Sequence, residues 1–221
     1  MTDPAVRPAA EYLEALYEMA EEDIAPIQAR LAEWTGVSRA TVSEAVARLV
    51  EAGLLARDGR RLRFTEEGER VARERVRRHR LAEHFLIQVL RLPWHRSHEE
   101  AQRWEGVISG EVAARMAEIL QDPATCPHGN PIPGSKHRVD HSKLVPLREI
   151  RPGARVILRR LTEDLELELE VMRFFEDNGL VPGSRIRVRS IAPDGTMSLQ
   201  VEEKAVALGA HLSDNLWVES T

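Results

Sequence analysis

The sequence predicts an α+β fold, mainly α, and three observations predict it. Apolar residues recur at helical spacing through most of the chain up to Leu120. An Asp58-Gly59 pair, a strong hairpin signal, sits between two short extended runs. After a Pro- and Gly-rich stretch at 121–148, short β-rich runs separated by turns take over.

Taken in order, Leu13, Leu16, Tyr17 and Ala20 predict a helix over 9–22. Pro26 suits the first turn of a short helix over 27–34, because the N–H it lacks would be unpaired there anyway. Gly36 makes a tight turn, Ser38 caps a third helix to about Glu51, and Gly53 stops it. The hairpin occupies Leu54 to Thr65. Thr65, Glu66 and Glu67 then open a long basic helix that ends near Arg91-Leu92-Pro93, and one further helix is expected from Ser97 to Leu120. Pro123, Pro127, Gly129, Pro131, Pro133 and Gly134 make 121–148 the expected linker. Strands are expected at Arg155 to Arg160, Arg185 to Ile191, Thr196 to Val201 and Lys204 to Ala207, with a helix from Glu166 to Asn178 stopped by Gly179. Together they make a small β-barrel with one short helix.

Composition narrows the function classes. The 221 residues suit one large domain or, better, two modest ones, and no apolar run is long enough to cross a bilayer. Met1 to Ala10 lacks the basic start and apolar stretch of a secretion signal, and a single cysteine, Cys126, forms no intrachain disulfide; both predict a cytoplasmic protein. The formal net charge is −5, yet basic charge is concentrated in the first third. Pro26 to Arg63 holds seven arginines against four acids, and Glu69 to Arg80 six against two. That polarity fits one end facing phosphate. No nucleophile–base arrangement and no short zinc-protease motif is present, which argues against an enzyme.

Helix, Gly turn, helix, then an Arg-bearing hairpin is the order of a winged helix-turn-helix. The recognition helix would expose Ser38, Arg39, Ala40, Thr41 and Ser43 near its N-terminus, small enough to approach phosphates and base edges, with Ala40 able to touch a thymine methyl. Arg48 suits a phosphate, and Arg57, Arg60, Arg61 and Arg63 suit the minor groove or backbone. Double-stranded DNA is therefore the expected partner.

The next segments carry residues able to bind a metal. His79 and Glu83 are four apart, on one helix face. His98, Gln102 and Glu105 follow at i, i+4 and i+7, and Glu11 and Glu14 share one side of the first helix. Cys126-Pro127-His128 puts a thiol and an imidazole in one short turn. Imidazole, carboxylate and thiolate together suit a divalent transition metal.

These motifs resemble the diphtheria-toxin-repressor and manganese-transport-regulator family of metal-dependent repressors. The resemblance rests on Tyr12-Leu-x-x-Leu-Tyr17, Ser38-x-x-Thr-Val-Ser-x-x-Val-x-Arg-Leu49, Leu62-x-x-Thr-x-x-Gly68, His79-Arg-Leu-Ala-Glu83, His98-Glu-Glu-Ala-x-x-Trp-Glu105, Cys126-Pro-His-Gly-Asn-Pro-Ile-Pro-Gly134 and Gly179-Leu-Val-Pro-Gly-Ser184. It implies a winged helix-turn-helix over 1–74, a helical dimerisation and metal-sensing domain over 75–142, and an SH3-like, iron-transport-accessory type domain over 143–221. It further implies a homodimer whose operator binding depends on metal. Dimer contacts are expected from Leu81, Phe85, Leu86, Val89, Trp104, Val107 and Ile108.

Carried over residue by residue, the resemblance implies two metal sites. One comprises His79, Glu83 and His98 with Cys126, His128 and an acid of the last domain, for which Glu168 and Glu170 are the candidates and Glu166 the alternative. The other comprises Glu11, Gln102, Glu105 and the next residue, usually His in the family and here Gly106, which predicts a weak, remodelled or empty site. Oxygen-rich donors put Mn²⁺ first and Fe²⁺ second. The alternative function is a winged-helix regulator that senses a small molecule.

Overall fold

The computed structural model describes residues 9–220, so most of Met1 to Ala10 lies outside the described residues. The chain divides into two compact units, one up to Arg77 and one from Arg78 onward.

The first unit contains α1 (Ala9–Glu21), α2 (Gln28–Thr35), α3 (Arg39–Glu51), the hairpin β1 (Leu55–Asp58) and β2 (Arg61–Phe64), and the first half of α4 (Glu66–Gln88). Leu13, Leu16, Leu31, Val42, Val46, Leu49, Leu55 and Leu62 form its core. Gly36 ends α2 in the left-handed conformation (φ 67°), and the Ser38 hydroxyl caps α3 by accepting from the Thr41 N–H at 3.1 Å. The hairpin pairs in register around Asp58↔Arg61 and is tied down where the Leu62 N–H donates to the Pro26 carbonyl at 2.7 Å. Gly68 has a steric reason: a Cβ there would lie 1.8 Å from the Leu54 carbonyl oxygen. Helix α4 can pack against the end of the hairpin only with no side chain at that point.

The second unit holds the rest of α4, then α5 (Ser97–Trp104), α6 (Gly110–Ile119), β3 (Val145–Pro146), β4 (Arg155–Leu161), α7 (Glu163–Glu166), α8 (Leu169–Asn178), β5 (Arg185–Ile191), β6 (Met197–Val201), β7 (Lys204–Leu208), α9 (Ala210–Asp214) and β8 (Leu216–Ser220). The strands form one antiparallel sheet in the order β3-β8-β4-β5-β6-β7. It wraps a core of Val156, Leu158, Phe175, Ile186, Val188, Leu199 and Val218, the SH3-like architecture expected. A separate apolar cluster, with Leu81, Leu86, Ile108 and Met116, packs between the helices.

Three expectations are corrected. The helix expected from Ser97 to Leu120 is two helices. The Trp104 carbonyl accepts from both Val107 and Ile108, and the Ser109 hydroxyl caps α6 by accepting from the Val112 N–H at 3.2 Å. The helix expected from Glu166 is α7 and α8, broken around Leu167 and Glu168. The stretch expected as a linker is structured in its middle: Cys126, His128, Gly129, Asn130, Ile132 and Pro133 are buried. Of the expected dimer contacts, Leu81, Leu86 and Ile108 are core residues of this unit, whereas Val89 and Val107 are exposed.

Candidate metal centre and nucleic-acid interface

The metal-capable residues of the second unit converge. On α4, a spacing of four puts His79 and Glu83 on one face, with His79 Nε2 3.3 Å from Glu83 Oε1. From α5, His98 Nδ1 comes within 3.2 Å of His79 Nε2 and 3.5 Å of Glu83 Oε1. The turn after Cys126 brings His128 Nδ1 within 3.2 Å of Glu83 Oε1, and Cys126 Sγ lies 4.0 Å from that nitrogen. From α7, Glu166 Oε2 closes the group, 3.1 Å from His98 Nδ1 and 2.8 Å from His128 Nδ1. All six side chains are buried.

The Cys126 turn is held by backbone geometry. Cys126 N–H donates to the Asn130 carbonyl at 2.7 Å, and the Leu161 N–H of β4 donates to the His128 carbonyl at 2.9 Å. Gly129 has φ 96°, and a Cβ there would lie 2.0 Å from the Arg159 carbonyl oxygen. Only glycine lets this turn lie against β4.

A further layer of residues orients the donors. His79 Nδ1 is 2.6 Å from Glu105 Oε2, which leaves Nε2 facing the cluster. Asn130 Nδ2 donates to Glu166 Oε1 at 2.7 Å, and Arg160 Nε donates to Asn130 Oδ1 at 2.5 Å. Arg80 donates to Glu163 Oε1 at 2.5 Å and to the Pro131 carbonyl. Trp94 packs edge-on against the His128 ring, with centroids 4.8 Å apart. The sequence reading missed Arg80, Asn130, Arg160 and Glu163; Arg80 and Asn130 lie inside quoted motifs, and the other two carry no local signal.

The electrostatics are those of a site built for positive charge. Burial works against the His79 imidazolium, but Glu83 and Glu105 outweigh it and hold its pKa well above the ordinary value. For His98, burial is outweighed by hydrogen bonds to Glu166 and Glu83, and its pKa is raised to about 9. His128 is likewise raised well above the ordinary range, burial being overcome by Glu166 and Glu83. Burial would raise Glu83 and Glu166, but His128 above all holds both low. Burial, then Glu83 and Glu166, push the Cys126 thiol up to about 12.

The donor set fits a divalent cation on three counts. Buried Glu83, Glu105, Glu163 and Glu166 face only Arg80 and Arg160 as buried permanent cations of this unit, leaving two formal negative charges. The second oxygen of Glu83 is buried with no hydrogen-bond partner. The nitrogen and oxygen donors stand 2.8–3.5 Å apart, the edge length of a coordination shell with bonds of roughly 2.1–2.4 Å.

Several expected ligands stand elsewhere. Glu168 and Glu170 are exposed, 3.9 Å from His211 and 3.6 Å from Arg173 respectively. Leu165 plugs the barrel core, so Glu166 turns inward and the break after α7 turns the later acids out. Gln102 is exposed on α5, whose inward stripe is His98, Ala101 and Glu105. Gln102 thus faces solvent, while Glu105 is buried against His79. Glu11, in the first unit, is half-buried and 3.7 Å from Arg75, whose Nε also donates to Glu14 at 2.7 Å.

Most of the expected DNA-facing residues are exposed together in the first unit. Ser38, Arg39, Ala40, Ser43 and Arg48 lie on the outer face of α3, and Arg57, Arg60 and Arg61 on the hairpin. Thr41 is half-buried, its hydroxyl 2.9 Å from that of Ser38, and Arg63 is paired with Asp58. Ile27, Gln28, Arg39, Arg57 and Arg60 line a groove of about 390 Å³.

Comparison with known proteins places the chain. Residues 6–61 match the iron dependent repressor N-terminal DNA binding domain, 65–134 the iron dependent repressor metal binding and dimerisation domain, and 145–220 the FeoA domain. The iron-dependent repressor IdeR of Mycobacterium tuberculosis is 38% identical over 200 residues, covering 86% of each chain. The chain belongs to the iron-dependent (diphtheria toxin) repressor family. The diphtheria toxin repressor of Corynebacterium diphtheriae is 33% identical over 220 residues, covering 94% of this chain and 95% of that one. A solved manganese-dependent transcriptional repressor in complex with manganese superposes with a TM-score of 0.83 at 32% identity, covering 97% of this chain and all of the other. No helix of the described residues is long and apolar enough to cross a membrane.

Proposed function

We propose that this chain is a metal-dependent transcriptional repressor. In this reading His79, Glu83, His98, Cys126, His128 and Glu166 hold one divalent cation, and the loaded protein binds operator DNA as a homodimer through α3 and the β1–β2 hairpin. The single observation that carries it is the convergence of buried donors from α4, α5, the Cys126 turn and α7. Once bound, a cation supplies the charge that two of the protons among these carboxylates and imidazoles otherwise supply. Glu83 lies next to both His79 and His128, so it joins α4 to the turn; Glu166 joins α7 to α5 and the turn. A cation shared by these residues would hold four segments of the second unit in one arrangement. Coupling to DNA then equals the difference in cation affinity between the DNA-binding arrangement and the others.

Mn²⁺ is put first and Fe²⁺ second. Sγ stands 4.0 Å from His128 Nδ1, against 2.8–3.5 Å for the nitrogen and carboxylate-oxygen contacts, so the closely packed set is nitrogen and oxygen. On this reading the protein is not an enzyme, and it acts in the cytoplasm on double-stranded DNA.

The test is to recover a duplex from a random pool in Mn²⁺ and then measure its affinity in Mn²⁺, anaerobic Fe²⁺, Zn²⁺ and chelator, with the mass of the free protein followed by light scattering. Tight binding by a dimer in Mn²⁺, lost in chelator, is expected. Equal affinity in chelator overturns the metal switch, and tighter binding with Fe²⁺ at equal loading reverses the order of metals.

A further inference from the structure

Nine exposed arginines among the described residues are neutralised. Arg30, Arg63, Arg70, Arg73, Arg103, Arg115, Arg148, Arg159 and Arg173 each lie within 4.0 Å of a carboxylate. Among the described residues, two groups break this pattern. One is Arg39, Arg48, Arg57, Arg60 and Arg61 of the winged helix-turn-helix; the other is Arg185, Arg187 and Arg189, on alternate positions of β5. Arg91, Arg96, Arg138 and Arg151 also lack a carboxylate but are scattered along the chain.

The β5 arginines face outward, with Ile186 and Val188 between them in the barrel core. Arg187 stands directly opposite Arg155 of β4, which places a fourth guanidinium on the same face. Register shifts at Leu158/Arg160 and at Val188/Ser190 strengthen the local twist of these strands. The result is a groove of about 530 Å³ floored by Ile157 and walled by Arg155, Arg185, Arg187 and Arg189, with Glu202 the one acid lining it.

We infer that this face of the barrel is a second polyanion-binding surface, taking the phosphate backbone of duplex DNA. Alternate strand positions are about 6.6 Å apart, twice the roughly 3.4 Å axial rise per phosphate of one strand. The three guanidiniums therefore spread over a run of backbone instead of converging on one anion, and each offers a fork suited to phosphate. The groove lining includes no aromatic residue to anchor a protein partner. The surface carries no donor of the metal centre, so it adds affinity without reading sequence.

The test uses the full chain loaded with Mn²⁺, on a long duplex of scrambled sequence, with affinity measured across a salt series. The variant replaces Arg185→Gln, Arg187→Gln and Arg189→Gln together; a control replaces Arg57→Gln and Arg60→Gln. Unchanged Mn²⁺ loading and melting show that the variant is folded. The slope of log affinity against log salt is expected to shrink by about 2 to 3 in the β5 variant, at roughly 0.9 per phosphate contact. A slope and affinity equal to wild type in the β5 variant, with a loss in the hairpin control, overturn this surface and leave the operator reading standing. Wild-type protein that binds no duplex removes both. Binding of poly-glutamate that the β5 variant loses, with an unchanged DNA slope, makes the occupant an acidic protein and also overturns the proposal.

Discussion

His79 Nδ1 and Glu105 Oε2 are 2.6 Å apart in the buried interior, so the imidazole is held by one nitrogen and offers the other to the cluster. A carboxylate behind a histidine fixes its tautomer and raises its basicity as a ligand. Glu105→Gln is expected to weaken Mn²⁺ affinity about 10- to 100-fold, read by competition with a chelating dye. An unchanged affinity means that Glu105 only fills space.

Glu166 is buried against His98 and His128, whereas Glu168 and Glu170 are exposed. Glu166→Gln is expected to lose Mn²⁺ binding, because it removes the carboxylate that touches both His98 and His128. Glu168→Gln and Glu170→Gln are expected to bind as wild type does, both residues being exposed. Calorimetry on the three variants decides it, and a loss confined to Glu170→Gln reverses the assignment.

The pH dependence has a definite sign. His98 is raised to about 9 in the folded chain, burial being outweighed by Glu166 and Glu83, against about 6.5 unfolded. Its contribution is full below about 6.5 and is lost as pH rises through about 9. Glu83 and Glu166 are lowered, so their contribution is full above about 4.5 and is lost only as pH falls through their folded values. Metal-free protein is therefore expected to lose stability between pH 6.5 and 9, while Mn²⁺ affinity rises as protons leave. Denaturant melts in chelator at the two ends of that range check it; greater stability of the metal-free protein at the alkaline end contradicts the assignment.

Gly129 carries the loop that bears Cys126 and His128. Gly129→Ala places a methyl 2.0 Å from the Arg159 carbonyl oxygen at φ 96°. A destabilisation of at least about 2 kcal/mol is expected, together with weaker Mn²⁺ binding. A melting curve like that of wild type shows that β4 can yield.

Arg60 is exposed at the tip of the hairpin and has no carboxylate partner. Arg60→Gln is expected to weaken binding about equally across duplex sequences and to reduce the salt slope by about 1. A change of sequence preference instead makes Arg60 a base-reading residue.

By itself the sequence determined the local elements and most of the donors. Apolar spacing, Ser38 as a cap, Gly36 as a stop and Asp58-Gly59 as a turn are short-range physics, and α1 to α3 and the hairpin follow from them. A spacing of four on α4 likewise put His79 and Glu83 on one face before any partner was known. The break at Ser109 was legible too, as a serine cap ahead of Gly110, but the apolar period on either side masked it. What only the tertiary structure decided is which of several equivalent groups faces inward. In Asp164-Leu-Glu-Leu-Glu-Leu-Glu170 three glutamates alternate with three leucines, so pattern cannot choose among them. Leu165 chooses by filling the barrel core, and it carries Glu166 in with it. The same reason separates Glu105 from Gln102 and turns an apparent linker into the wall of the centre. Long-range packing sets side-chain direction, and no local periodicity encodes it.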